Sequence, residues 1–234
     1  MVETDKVFLI HPTRRAIYKV ICETPGTYFY RMISEVSKYT DKISSATLIY
    51  HLNKLREADL IASGKISGKR IFFPKNLRNQ QMEEAYLVLK NQNALKIFLM
   101  ILNNAGVMKN QNEVARELDV HHDTVRYHAK KLEEAGLIEI QKEGKLVAFE
   151  LGQLGKELLQ GSSRVFTQTY IQFLMSKLKD SCHFPEILKQ TRDKLSIRIV
   201  CKDEEDIILT LDLSGWDIYQ IAEDIDEEPE ETQK

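Results

Sequence analysis

The histidines of this chain are the side chains whose types and spacing first suggest chemistry. A Tyr-His pair occurs at residues 50–51 and again at 127–128, and His121 and His122 precede the second pair. Imidazole nitrogens bind transition metals and transfer protons near neutral pH. However, His122 and His128 are six residues apart, which does not place both rings over one helix face. His51 directly precedes the apolar helix position Leu52, and His128 directly precedes Ala129. We therefore expect these two histidines to help pack their helices or to bind a phosphate. We predict no metal site.

Cysteines and catalytic motifs add little support for chemistry. Cys22, Cys182 and Cys201 are scattered and form no C-x-x-C pair, so neither a disulfide framework nor a closed metal site is indicated. The sequence has no phosphate-binding glycine loop, nucleophile elbow or His-Glu-x-x-His motif. We therefore predict no enzymatic activity and no cofactor, in a reduced, cytoplasmic protein. Cys182-His183 leaves a redox or metal sensor open as an alternative to an ordinary loop pair.

The Tyr-His pairs belong to a segment that the chain contains twice. Residues 46–61 and 123–138 are identical at 9 of 16 positions at a constant offset of 77. Such a repeat indicates a duplicated domain. Leu48, Leu52 and Leu55 recur at helical spacing, so each copy predicts an amphipathic helix, at 44–58 and 121–135. These helices are the candidate recognition helices.

Each recognition helix is followed by a predicted β-hairpin and preceded by two shorter helices. The turns at 67–69 and 143–145 carry Gly68 and Gly144, which supply the positive φ of a tight hairpin. The upstream helices are predicted at 13–23 and 28–38 in the first copy. In the second they begin near Leu95 and at 110. About four extra residues around 39–42 make the first helix-turn-helix corner looser.

These motifs resemble a known family. HPTRRAI, ETPGTYFYRMISEV, YHLNKL and YHAKKL are similar to winged helix-turn-helix domains of the ArsR and MarR type, as found in archaeal regulators with two such domains in tandem. The resemblance covers residues 8–160 and implies DNA binding in transcription regulation. We expect a mainly α fold with small β-wings: two tandem winged helix-turn-helix domains and a small α/β C-terminal unit. The predicted parts are 8–75, a helical connector 76–91, 92–160, a C-terminal unit 161–225 and a disordered acidic tail 226–234.

The charge distribution favours a polyanionic partner, although the whole chain has a net charge of −2. Residues 203–234 hold 13 acids and one lysine, so residues 1–202 carry 32 basic against 22 acidic groups. A basic body is the electrostatic footprint of a nucleic-acid binder. Residues 11–75 have 12 basic and 5 acidic side chains, whereas residues 92–160 have 9 and 10. We therefore expect the first domain to dominate phosphate contact.

The candidate DNA contacts are basic groups on helix starts and wings and the open faces of the recognition helices. With the leucines facing the core, Ser45, Ala46, Ile49, Tyr50 and Asn53 fall on the open face of the first helix, and His122, Asp123, Arg126, Tyr127 and Lys130 on that of the second. Arg126 is predicted to pair with guanine and Asn53 with adenine. The full set is Arg14, Arg15, Ser44, Ser45, Thr47, Tyr50, Asn53, Lys54, Lys69, Arg70, His122, Thr124, Arg126, Tyr127, Lys130, Lys131 and Lys145.

The C-terminal third predicts a helix-hairpin-helix unit. A helix over 164–179 carries the apolar stripe Phe166, Tyr170, Phe173, Leu174 and Leu178, alternating residues predict strands at 195–201 and 207–213, and a last helix spans 216–225. So small a unit cannot bury its own apolar faces, so it docks on the winged domains or on a second subunit. We predict a homodimer through the 164–179 helix, and expect truncation after Gln160 to leave folded, monomeric winged domains.

Two alternatives to a DNA-binding regulator stay open. A protein-interaction adaptor built from tandem winged domains is favoured by the near-neutral second domain, and salt dependence of DNA binding separates it from a regulator. A ligand-gated regulator with an unknown small-molecule effector differs only in what the C-terminal unit holds. No membrane contact is predicted, because the longest apolar run has six residues and a spanning helix needs about 20.

Overall fold

The computed structural model describes residues 9–66, 68–77, 80–105, 107–144, 146–161, 168–179, 184–200 and 205–216. The chain divides into two compact units: residues 1–80 with 164–216, and residues 81–163 with 217–234. The features predicted at Lys145, Phe166, Cys182-His183, Cys201, the helix beyond Trp216 and the acidic tail lie outside the described residues. Within the described segments, no helix has the length and apolar character needed to cross a membrane.

The first unit begins with three helices and a three-stranded sheet. Its elements are α1 (Pro12–Glu23), β1 (Thr27–Tyr28), α2 (Phe29–Val36), α3 (Ser45–Glu57), β2 (Ile61–Ile66) and β3 (Lys69–Pro74). The antiparallel sheet has the order β1-β3-β2, so β2 and β3 form the predicted hairpin. Pro12 opens α1 because its missing N–H is one that a first helical turn leaves unpaired anyway. The stripe of Leu48, Leu52 and Leu55 on α3 is buried, as the sequence predicts.

The second unit repeats this order of elements. It contains α4 (Gln80–Leu89), α5 (Gln92–Asn103), β4 (Lys109–Asn110), α6 (Gln111–Glu117), α7 (His122–Glu134), β5 (Ile138–Glu143), β6 (Leu146–Leu151) and α8 (Gln153–Gly161). Its sheet has the order β4-β6-β5, equivalent to that of the first unit. Val125, Ala129 and Leu132 of α7 are buried at the positions equivalent to Leu48, Leu52 and Leu55. Each unit therefore has a winged helix-turn-helix fold, and α3 and α7 are the helices that the sequence predicts as recognition helices.

The corners of the two helix-turn-helix motifs differ in length. Residues 37–44 separate α2 from α3, whereas only 118–121 separate α6 from α7. The first corner is longer by the four residues that the sequence predicts. In this corner the Tyr39 hydroxyl donates to Glu23 Oε2 at 3.1 Å, and Lys19 Nζ lies 4.7 Å from the Tyr39 ring centroid. These contacts hold the extra residues against α1.

The C-terminal segment differs from the helix-hairpin-helix prediction. It contains α9 (Gln168–Lys179), β7 (Phe184–Gln190), β8 (Lys194–Val200), β9 (Ile207–Asp212) and a 3₁₀ turn at Ser214–Trp216. The sheet therefore has three strands in the order β7-β8-β9, not two. Strand β7 was not predicted, because a proline such as Pro185 argues against a strand. A bulge between Ile187 and Lys189 also interrupts the alternation of its side chains.

Within the first unit, this C-terminal segment packs on α1. The hydroxyl oxygens of Tyr18 and Tyr170 lie 2.8 Å apart, and both side chains are fully buried. Trp216 Nε1–H donates to the Cys22 carbonyl at 2.7 Å, and the Asp212 N–H donates to Glu23 Oε1 at 2.8 Å. Tyr170, Leu174 and Leu178 of the stripe that motivated the dimer prediction are thus buried within the same chain, and Phe173 is half-buried. The docking of this segment follows the first of the two predicted options.

Candidate nucleic-acid interface

The candidate recognition helix α3 presents a polar and aromatic face beside its apolar stripe. Ser44 caps the helix, because its Oγ accepts from the Thr47 N–H at 3.1 Å and lies 2.8 Å from Thr47 Oγ1. The open-face residues Ser45, Ala46, Ile49, Tyr50 and Asn53 are all exposed, as the sequence predicts. Lys54 is half-buried, with Nζ 3.2 Å from Glu57 Oε2. The open face of α3 predicted from the sequence is therefore built from neutral side chains, whereas the charged Arg56 and Glu57 are exposed at its C-terminal end.

The candidate recognition helix α7 presents the equivalent face with more charge. His121 Nδ1 accepts from the Asp123 N–H at 3.3 Å and caps the helix. His122, Asp123, Arg126, Tyr127 and Lys130 are exposed, and Thr124 is half-buried. Arg126 pairs with Asp123, Lys130 Nζ lies 3.8 Å from Glu134 Oε1, and Lys131 Nζ lies 4.6 Å from the Tyr127 ring centroid. Carboxylates thus offset much of the positive charge of α7.

The hairpin of the first unit ends in a basic tip. In the hairpin register Lys65 lies opposite Arg70, and both are exposed together with Lys69. Gly68 makes the turn with φ +78°, a conformation that a side chain would strain. Lys69 Nζ lies 5.0 Å from the Tyr28 ring centroid. Lys65 is not among the contacts predicted from the sequence, although the turn at Gly68 places it opposite Arg70.

The second unit forms a cleft between α7 and its hairpin. The cleft has a volume of about 920 Å³ and is lined by α7, the start of α6 and both strands of the wing. Among its lining residues are Arg126 and Lys130, which the sequence singles out, and Asn110, Gln111 and Lys142, which it does not. The Asn110 side chain and Glu113 form a capping box, a pattern that marks a helix start in the sequence itself.

The comparisons with known proteins fit this geometry. A family model described as a helix-turn-helix domain matches residues 112–141, which contain α6, the corner, α7 and the start of β5. The second unit carries a helix-turn-helix domain. The chain is 31% identical over 153 residues to an uncharacterised HTH-type transcriptional regulator of Methanocaldococcus jannaschii, covering 65% of this chain but 36% of that protein. The chain therefore spans about a third of the length of this relative.

A solved structure also overlaps one part of the chain. Reduced HlyU from Vibrio cholerae N16961 aligns with 38% of this chain and 90% of its own, at 19% identity and a TM-score of 0.31.

Arg14 and Arg15 depart from the predicted phosphate-contacting surface. Arg14 is only 5% exposed. The half-buried Arg15 donates from Nη1 to the carbonyls of Leu9 and Ile10, at 3.2 and 2.9 Å. The Arg14 side chain faces α3, and the Arg15 side chain points back along the chain towards Leu9 and Ile10. Of the first-unit cations predicted to contact phosphate, Lys69 and Arg70 of the wing are exposed, whereas Arg14, Arg15 and Lys54 are buried or half-buried.

The histidines of the two helix-turn-helix motifs separate into buried and exposed groups. His51 and His128 are buried, with 5% and 8% exposure, as expected for side chains that pack their helix. Burial lowers the pKa of both, with the charge of Lys131 adding to the effect at His128. The exposed ligand atoms of His121, His122 and Asp123 lie within 4.8 Å of one another, but Asp123 is paired with Arg126. His122 and His128 do lie on different faces, as their spacing predicts.

Proposed function

We propose that this chain binds duplex DNA through its two winged units and acts as a transcription regulator. The observation that carries the proposal is the two-faced character of α3 and α7. In each, equivalent apolar residues are buried, and the opposite polar and aromatic face is exposed beside a wing. A helix with such a free face fits the major groove, while a wing follows the backbone. The helix-turn-helix match and the name of the archaeal relative support this function.

The first unit supplies most of the affinity in this proposal. Its wing carries three exposed cations, Lys65, Lys69 and Arg70. The cations of α7 face nearby carboxylates, since Arg126 pairs with Asp123 and Lys130 with Glu134. Phosphate contact releases condensed counterions, so unneutralised cations give affinity that falls steeply with salt.

The second unit contributes sequence preference. Arg126 lies on the exposed face of α7, and its guanidinium is held by Asp123 in the free protein. Exchanging this ion pair for a bidentate contact with guanine makes recognition depend on the base that α7 meets. Asn53 on α3 offers an amide for adenine in the same way. In this proposal one copy of the chain presents two recognition helices. The homodimer stays a prediction, and light scattering, which gives the molecular mass in solution, tests it.

Salt titration of DNA binding tests the proposal against the adaptor alternative. Full-length protein is titrated into a fluorescent duplex pool at several potassium chloride concentrations, and anisotropy gives the affinity. We expect the logarithm of the affinity to fall linearly with the logarithm of salt, with a slope set by the phosphate contacts. A protein that binds no duplex at about 50 mM salt, or binds with a flat salt response, is an adaptor and not a DNA-binding regulator.

A further inference from the structure

Three nitrogen-bearing side chains meet in the interior of the first unit, beneath the recognition helix. His11 precedes α1, Arg14 lies in its first turn, and His51 comes from α3. The ring centroids of His11 and His51 are 4.6 Å apart. Arg14 and His51 are each only 5% exposed, whereas His11 is half-buried, so the cluster joins α1 to α3 and reaches the surface at His11.

Four nitrogens of this cluster are buried without a hydrogen-bond partner among the described residues. Within the part of the chain that the structure describes, no acceptor or donor meets Arg14 Nε and Nη1, His11 Nδ1 or His51 Nδ1. A buried guanidinium without an anion or an acceptor is costly, because its charge is removed from the solvation of water. The charges acting on the two imidazoles are also positive: Arg14 lowers the pKa of both, and Arg15 lowers that of His11, in addition to burial. The cluster is therefore short of negative charge.

The first turn of α1 brings its backbone N–H groups, which have no acceptor within the helix, beside this cluster. His11 is the N-cap residue, and its side chain makes no capping hydrogen bond. The second unit does the opposite at the equivalent helix. There Asn91 caps α5, its Oδ1 accepts from the Ala94 N–H at 3.1 Å, and alanine occupies the position three residues after the cap, where α1 has Arg14. The first unit thus combines an uncapped helix start with a buried arginine, and the second has neither.

We propose that Arg14, His11, His51 and the N-terminus of α1 form a binding site for a phosphate-type oxyanion. The guanidinium and the imidazoles donate to the oxygens, and the backbone N–H groups and the helix dipole stabilise the same negative charge. The exposed Pro12 marks the open end of the helix, from which the anion enters. The anion is either a free phosphate group or a phosphate of the DNA backbone. The site does not depend on the proposed function, because inorganic phosphate tests it without DNA.

Thermal unfolding in matched salts tests the site on the full-length protein. The melting temperature is measured in potassium phosphate and in potassium chloride of equal ionic strength at pH 7. We expect phosphate to raise the melting temperature of the wild type above its chloride value in proportion to the logarithm of its concentration. The control Arg31→Ala removes an exposed charge from the same unit and keeps this response. Arg14→Ala, which gives α1 the alanine that α5 has, abolishes it. An equal phosphate response in Arg14→Ala and wild type overturns the site.

Histidine NMR of the wild type decides the case even if Arg14→Ala fails to fold. Phosphate titrated at constant ionic strength shifts the ring signals of His11 and His51 and raises the pKa of both, since the anion favours imidazolium. His128, which is equally buried but has no arginine equivalent to Arg14, provides the internal control and does not shift. Ring signals of His11 and His51 that are unchanged at about 50 mM phosphate reject the proposal.

The same signals identify the source of the anion. If a backbone phosphate fills the site, a bound duplex reproduces the shifts and added phosphate causes no more. If a free phosphate group fills it, phosphate shifts the signals of the DNA complex as it does those of the free protein. Both results support the site and assign its ligand.

Discussion

The hydroxyl oxygens of Tyr18 and Tyr170 lie 2.8 Å apart although 152 residues separate them in the sequence. Tyr18 belongs to α1 and Tyr170 to α9, so this contact joins the C-terminal segment to the core of the first winged domain. Cys22 Sγ lies 3.5 Å from the Tyr170 hydroxyl in the same buried group. Burial raises the pKa of both phenols, which keeps them neutral hydrogen-bonding partners at physiological pH.

Replacing either tyrosine with phenylalanine destabilises the protein. The remaining buried hydroxyl then loses its hydrogen bond to the other tyrosine, which the weaker contact with Cys22 Sγ does not replace, at a cost of about 1 to 3 kcal/mol. The double variant costs less than the sum of the single ones, because it leaves neither hydroxyl behind. Urea unfolding of all four proteins gives this coupling, and Tyr30→Phe, at an exposed tyrosine of the same unit, is the control. Strictly additive effects would show that the two hydroxyls do not interact.

Removing the C-terminal segment weakens the first winged unit. This reverses the sequence-based expectation that truncation after Gln160 leaves both winged domains intact, since Tyr170 and Trp216 cover α1. The single substitution Trp216→Ala isolates the effect and costs about 3 to 5 kcal/mol, as for other buried aromatics cut to alanine. Circular dichroism during urea unfolding measures it. Phe184→Ala, at an aromatic residue with 72% exposure, serves as control and leaves stability within about 0.5 kcal/mol.

Neutralising the first wing weakens DNA binding without changing sequence preference. Lys69→Ala with Arg70→Ala removes two exposed cations from the hairpin tip. We expect the salt slope to become shallower by roughly one unit for each phosphate that the wing no longer binds. The matched control, Lys179→Ala with Lys189→Ala, removes two exposed lysines from the C-terminal segment of the same unit. A wing variant with the wild-type slope places the phosphate-binding cations elsewhere.

Substitutions on the recognition helices change which sites are preferred. Tyr50→Ala with Asn53→Ala, or Arg126→Ala alone, alters exposed side chains opposite the buried stripes, so the fold is retained. A base contact contributes about 1 to 3 kcal/mol of discrimination. Selection from a random duplex library should return altered motifs for both variants. If the variants select the wild-type motif, these side chains do not read bases.

The stability of the first unit depends on the protonation of His51. Burial and the positive charges of His11 and Arg14 lower the pKa of His51 to about 4, from 6.5 in the unfolded chain. Between these values the unfolded state binds more protons, so this contribution to stability is complete above pH 6.5 and is lost as the pH falls towards 4. His51→Gln removes this titrating group, so we expect the unfolding free energy to differ less between pH 7 and pH 5 than it does in the wild type. His122→Gln, at an exposed histidine, keeps the wild-type difference.

The sequence determined the features that depend on short-range patterns. Leucines at helical spacing oblige α3 to bury one face and leave Tyr50 and Asn53 on the other, and glycines at the hairpin tips fix where the chain turns. The sequence repeat at an offset of 77 residues predicted the same helix and hairpin in the second unit. Such features follow from local sequence because helix and hairpin geometry decides the direction of each side chain.

Only the tertiary structure decided which residues meet from distant parts of the chain. An arginine at a helix start looks the same in the sequence whether it faces solvent or a neighbouring helix, so the burial of Arg14 against His11 and His51 had no local signal. The docking of Tyr170 on Tyr18 was equally hidden, because an aromatic stripe shows that a helix must be covered but not by what. Apolar burial is non-directional, and so its partner is fixed by the packing of the whole unit.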